Sequence, residues 1–123
     1  MSTATTTQNV AALDQALNQA ILSGKALEAF EQYYAEDVVM QENSDEPRRG
    51  KDVNRKAEQE FFSSLESFND GRLISSAVNG DITFGEWFMD VTLKGGQNAK
   101  MSQVAVRRWK DGQVVNERFY YHK

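Results

Sequence analysis

The sequence has no cysteine, one histidine and one proline. Without cysteine there can be no disulfide, zinc–thiolate site, iron–sulfur cluster or cysteine nucleophile. The lone histidine, His122, excludes a histidine-built metal site within one chain. Basic residues never run beyond two in a row, at Arg48-Arg49 and Arg107-Arg108. The net charge is −4, a balance that argues against a nucleic-acid partner. The longest apolar run, Val10 to Leu13, is only four residues, far short of a membrane span. Residues 1–9 carry neither a positive side chain nor an apolar stretch. They therefore read as a flexible start rather than a signal peptide, and a cytoplasmic location is expected.

What remains is 123 residues that are 40% apolar. That is enough for one core but too little for two, so residues 10–123 are expected to form a single domain. Val10, Leu13, Leu17, Ala20 and Ile21 recur in steps of three and four, mostly, and predict an amphipathic helix stopped at Ser23-Gly24. A second helix is expected over about 26–35, then a short strand over 37–41 and a polar loop over 42–50 holding Pro47. A third helix is expected over roughly 51–68, with Val53, Ala57, Phe61, Leu65 and Phe68 as its stripe. Beyond it the period changes. Stretches 72–79, 82–93, 99–109 and 113–121 are rich in Val, Ile, Phe, Trp and Tyr. Turn signals at Asn79-Gly80-Asp81, Gly95-Gly96-Gln97-Asn98 and Asp111-Gly112 cut them into four strands. Helices first and strands last predict an α+β fold with a largely antiparallel sheet.

For the last hairpin, a turn over Trp109–Gln113 with Gly112 as a bulge pairs Arg107 with Val115 and Ala105 with Glu117. That register makes Arg107 and Glu117 diagonal neighbours, able to form an ion pair or to anchor a polar ligand group beside Gln103. Both faces of the hairpin mix polar and apolar residues, so both are expected to be covered. In the strand before it, Trp87, Met89, Val91 and Leu93 share one face, taken as inward. Together with Leu17, Phe30, Tyr33, Phe61, Phe119 and Tyr121 they make an apolar core or the lining of a cavity. Phe88, Val104, Val106 and Tyr120 fall on the opposite face, which is expected to be buried in a homodimer.

Three passages resemble one family. They are SGKALEAFEQYYAEDVVMQE at 23–42, RRGKDVNRKAEQEFF at 48–62 and VAVRRWKDGQVVNERFYYHK at 104–123. In this order they resemble the nuclear transport factor 2-like superfamily, and its SnoaL-like branch in particular. The resemblance implies a cone-shaped, curved sheet packed by three N-terminal helices, with an apolar cavity on the concave side and a frequent dimer on the convex side. The superfamily hosts isomerases, cyclases, hydrolases and ligand binders alike.

By resemblance to the ketosteroid isomerase branch, Glu42 falls at the position of the carboxylate base. The branch's helix tyrosine would lie near Leu17 and its fourth-strand acid at Ala105, so both of those groups are missing. SnoaL-type cyclases pair an acid with a histidine; Glu117 matches the acid, but no strand histidine exists. Arg107, Glu117 and Glu42 loosely echo the carboxylate–arginine–carboxylate set of the epoxide hydrolase relatives. The expected function is binding of a small hydrophobic molecule. The alternatives are a lyase, isomerase or cyclase on a hydrophobic carbonyl compound, with Glu42 or Glu117 as base, or a dimeric interaction module. No metal, cofactor, nucleic acid or membrane is implied.

Overall fold

The computed structural model describes residues 3–122, with side chains from residue 9 onward. The helices are α1 (Thr3–Leu22), α2 (Ala26–Tyr33) and α3 (Lys51–Ser63). The strands are β1 (Tyr34–Glu42), β2 (Arg48–Arg49), β3 (Leu65–Asn79), β4 (Ile82–Leu93), β5 (Asn98–Lys110) and β6 (Gln113–Tyr120). They form one open sheet in the order β2-β1-β6-β5-β4-β3. Every neighbouring pair is antiparallel except β1 and β6, which run parallel. This is the expected α+β architecture, with two-residue β2 inside the stretch expected to be loop. Among the described residues no helix is long and apolar enough to cross a membrane.

The third helix ends five residues earlier than its apolar spacing predicts, and Leu65 and Phe68 belong to β3. The cause lies in the β3–β4 ladder, where two of three register shifts fall between Leu65 and Asp70. Leu65, Phe68, Gly71 and Leu73 face Leu93, Val91, Met89 and Trp87 respectively. The partner strand steps strictly by two, while the bulged strand steps by three, three and two. A bulged strand can therefore imitate helical spacing. The same bulges bend the sheet into a curve, and Asn69-Asp70-Gly71, a turn-like run just past the expected helix, lies inside the strand.

The final hairpin also differs from expectation. Lys110 pairs with Gln113 across a two-residue turn, and both turn residues have positive φ, Asp111 at 52° and Gly112 at 79°. That is the primed turn favoured by the strand twist, and glycine is the residue that adopts it without steric cost. A register shift follows between Arg108 and Trp109, which leaves Val115 as the extra residue. Arg107 consequently sits directly opposite Glu117, and Ala105 opposite Phe119.

The apolar core gathers Val10 and Leu17 of α1, Ala29 and Phe30 of α2, Val38 and Met40 of β1, Trp109 of β5 and Val114 of β6. The outer sheet face carries Phe88, Val104, Val106 and Tyr120. Val104 and Tyr120 are exposed there, and Phe88 and Val106 are half-buried. Arg72 stacks over Phe88 and Arg118 over Tyr120, at 4.9 and 4.8 Å from the ring centroids.

Candidate functional site

The inward face of α1 is not purely apolar. Asp14 and Asn18, one turn apart, interrupt the stripe of Val10 and Leu17, and all four are buried. Buried polar groups need partners, and β5 supplies the main one. Arg107 Nη1 donates to Asp14 Oδ1 at 2.8 Å and to Asn18 Oδ1 at 2.6 Å. Arg107 Nε donates to Glu117 Oε2 at 2.7 Å. The other Glu117 oxygen accepts from the Tyr34 hydroxyl at 2.6 Å. Behind this, Trp109 Nε1 donates to Thr83 Oγ1, and the Thr83 hydroxyl donates to Asp14 Oδ1. Two carboxylates, one guanidinium and one phenol thus make a closed polar floor. Burial, then the neighbouring Glu117 charge, holds the Tyr34 hydroxyl well above the ordinary tyrosine value.

Above this floor opens a cavity of about 790 Å³. Its lining includes Leu17, Phe30, Phe61, Trp87, Met89, Gln103, Arg107, Phe119 and Tyr121, as well as Glu42 and Glu117. Tyr33 is not part of the wall. It packs half-buried against the apolar core, because α2 ends at Tyr33 and the chain turns Tyr34 inward instead. The wall also includes Tyr34, Arg48 and Glu58, which the periodicity arguments did not single out.

Glu58 was missed because the face of α3 is rotated from the expected stripe. Val53 is 53% exposed, whereas neighbouring Asn54 is fully buried. The inward face runs through Asn54, Glu58, Phe61 and Phe62. Polar residues at its first two positions were the available signal. Asn54 fixes this face in place. Its Nδ2 donates to the carbonyls of Val38, Arg48 and Gly50, and its Oδ1 accepts from Arg48 Nε. Asn54→Ala would remove these side-chain bonds and leave Arg48 Nε without its acceptor, while the Val38 and Gly50 carbonyls keep backbone donors. It is expected to lower stability by about 2–3 kcal/mol in a denaturant titration, whereas a change below about 0.5 kcal/mol would mean the loop and α3 are held by other contacts.

One helical turn beyond Asn54, Glu58 reaches the cavity. Among the described residues it makes no hydrogen bond or ion pair. Burial raises its pKa to about 7, helped by the Glu117 and Glu42 charges and opposed by Arg48. Glu42, at the end of β1, lines the same cavity, close enough for its charge to act on Glu58. Arg48 Nη2 is 2.9 Å from Glu42 Oε2, but the contact lacks hydrogen-bond alignment, and that buried oxygen has no donor among the described residues. The cavity therefore holds a satisfied polar floor and, apart from it, two carboxyl groups with unused acceptors.

The chain matches the family model for the SnoaL-like domain over residues 5–121. No curated protein matches it. Among solved structures it is similar to a candidate SnoaL-like polyketide cyclase from Mesorhizobium loti, with 27% identity, 91% of this chain and 98% of that chain covered, and a TM-score of 0.80. It shares its fold with a candidate polyketide cyclase from Xanthomonas campestris at 22% identity, covering 95% and 93% with a TM-score of 0.77. It also shares its fold with an LEH-like epoxide hydrolase from M. tuberculosis at 14% identity, covering 94% and 84% with a TM-score of 0.76.

Proposed function

The chain belongs to the SnoaL-like domain family, and from that premise we propose that it binds a small, mainly hydrophobic molecule in the cavity. The observation that carries this reading is the cavity itself. Its volume of about 790 Å³ suits a small organic ligand, and its wall is mostly aromatic and aliphatic with a few grouped polar side chains.

Binding without a reaction is supported by the state of the expected catalytic groups. By the resemblance, the isomerase branch's tyrosine and acid would fall near Leu17 and at Ala105, where neither group is present. Glu117 has both oxygens engaged, by Tyr34 and by Arg107, and so is already committed to the polar floor.

Tryptophan fluorescence tests the reading. Trp87 lines the cavity, whereas Trp109 is buried outside it, bonded to Thr83. Apolar ring compounds carrying one polar group are expected to change the emission saturably, and Trp87→Phe to remove the response. If no such compound alters the emission at millimolar concentration, the cavity is not a ligand site.

A further inference from the structure

Burying a carboxyl group without a donor is costly, and native interiors rarely leave one so. This cavity has one such oxygen, on Glu42, and a second, half-buried carboxyl on Glu58. Glu58 has no hydrogen-bond partner among the described residues, and Glu42 Oε2 has none with proper alignment. They come from different elements, Glu58 from α3 and Glu42 from β1, and line the same space. We propose that the cavity takes a ligand with an apolar body and a protonated amine head, the ammonium seated against the Glu58 and Glu42 carboxylates. This rests on the reading that the cavity is a small-molecule site and names the chemistry of its occupant.

Charge supports an ammonium over a neutral donor. In and directly behind the wall stand four carboxyl groups, Asp14, Glu42, Glu58 and Glu117, against two guanidiniums, Arg48 and Arg107. Both guanidiniums are already committed. Arg107 is bonded to Asp14, Asn18 and Glu117, and Arg48 to Asn54 beside Glu42. Lys100 and His122 also line the opening, but both are exposed, where water screens them. With all four carboxyls ionised, the interior therefore lacks two positive charges. Retention of a proton by Glu58 near neutrality offsets one of them. An ammonium would replace the proton, donate to the free oxygens in charge-assisted hydrogen bonds, and lie near the rings of Phe61 and Phe62, one turn along α3.

The test uses three probes of matched length, 4-phenylbutylamine, 4-phenylbutanol and 4-phenylbutyrate, titrated calorimetrically into the intact protein at pH 7. The amine is expected to bind at least about tenfold tighter than the alcohol, equivalent to about 1.4 kcal/mol, with the carboxylate weakest. Amine binding should also release a proton, seen as an enthalpy that depends on the buffer. In Glu58→Gln the amine-to-alcohol preference should shrink about tenfold and the proton release should vanish. An alcohol that binds as tightly as the amine would overturn the ammonium assignment while leaving the cavity as a ligand site. An undiminished preference in Glu58→Gln would overturn the assignment to Glu58. If none of the three binds, both this inference and the underlying reading fail.

Discussion

Arg107→Met is expected to lower the unfolding free energy by about 3–5 kcal/mol, the usual cost of removing one partner from a buried ion pair. Arg107 is 4% exposed, and it is the cation shared by Asp14 and Glu117, which are 5% and 2% exposed. Without it two buried carboxylates lose their shared counter-ion, and only Tyr34, Thr83 and Asn18 remain to donate to them. For a chain of this size the loss corresponds to a fall in Tm of roughly 10–20 °C. Thermal and denaturant unfolding measure it directly. Adding Asp14→Asn and Glu117→Gln should recover much of the loss, because the orphaned charges are then gone. A loss below about 1 kcal/mol would place the pair among weakly contributing surface contacts and contradict its burial.

Glu58→Gln is expected to have the opposite sign, and its size should depend on pH. In the folded protein Glu58 titrates near 7, against an ordinary value of 4.5. Between these values the folded state keeps a proton that the unfolded chain has released. Stability therefore falls as pH rises through this window, and above about pH 7 the charged group is a standing penalty. Glutamine carries no such charge. Variant and parent should be nearly equal at pH 5 and diverge towards pH 8, where the full shift would make the variant more stable by about 3 kcal/mol. Partial contact with solvent at the cavity reduces that figure. Chemical denaturation at several pH values decides it, and parallel stability curves for the two proteins would show that Glu58 titrates normally.

These two residues also show what the sequence made legible. The order of elements, the turn positions and the inward set on β4 follow from period and turn chemistry, because strands that alternate strictly advertise their faces. Arg107 and Glu117 could be paired from the hairpin, although only as diagonal neighbours. The turn type and the Val115 bulge moved the register so that they face directly. Glu58 and Tyr34 were not singled out, for a shared reason. Each sits where a small rotation or a one-residue boundary decides which side chain turns inward. Val53 and Tyr33 were the apolar-looking choices, and the chain buries Asn54 and Tyr34 instead. Tertiary hydrogen bonding decided both, and local periodicity cannot register it. Phe68 was misassigned because bulges gave a strand the spacing of a helix.

The polar floor has a consequence in time as well as in space. Tyr34 bonds to Glu117 across 83 positions of sequence, and Asp14 to Arg107 across 93. The parallel ladder likewise joins the first strand to the last, Tyr34 to Val114 and Glu42 to Phe119. Such distant pairings raise contact order, and loops that long must close before any of these contacts is gained. During synthesis the buried acid of α1 has no counter-ion until β5 has emerged, and β1 has no main sheet neighbour until β6 follows it. The domain therefore completes its folding after translation of its final strand, and until then the amino-terminal helices hold their apolar stripe in water.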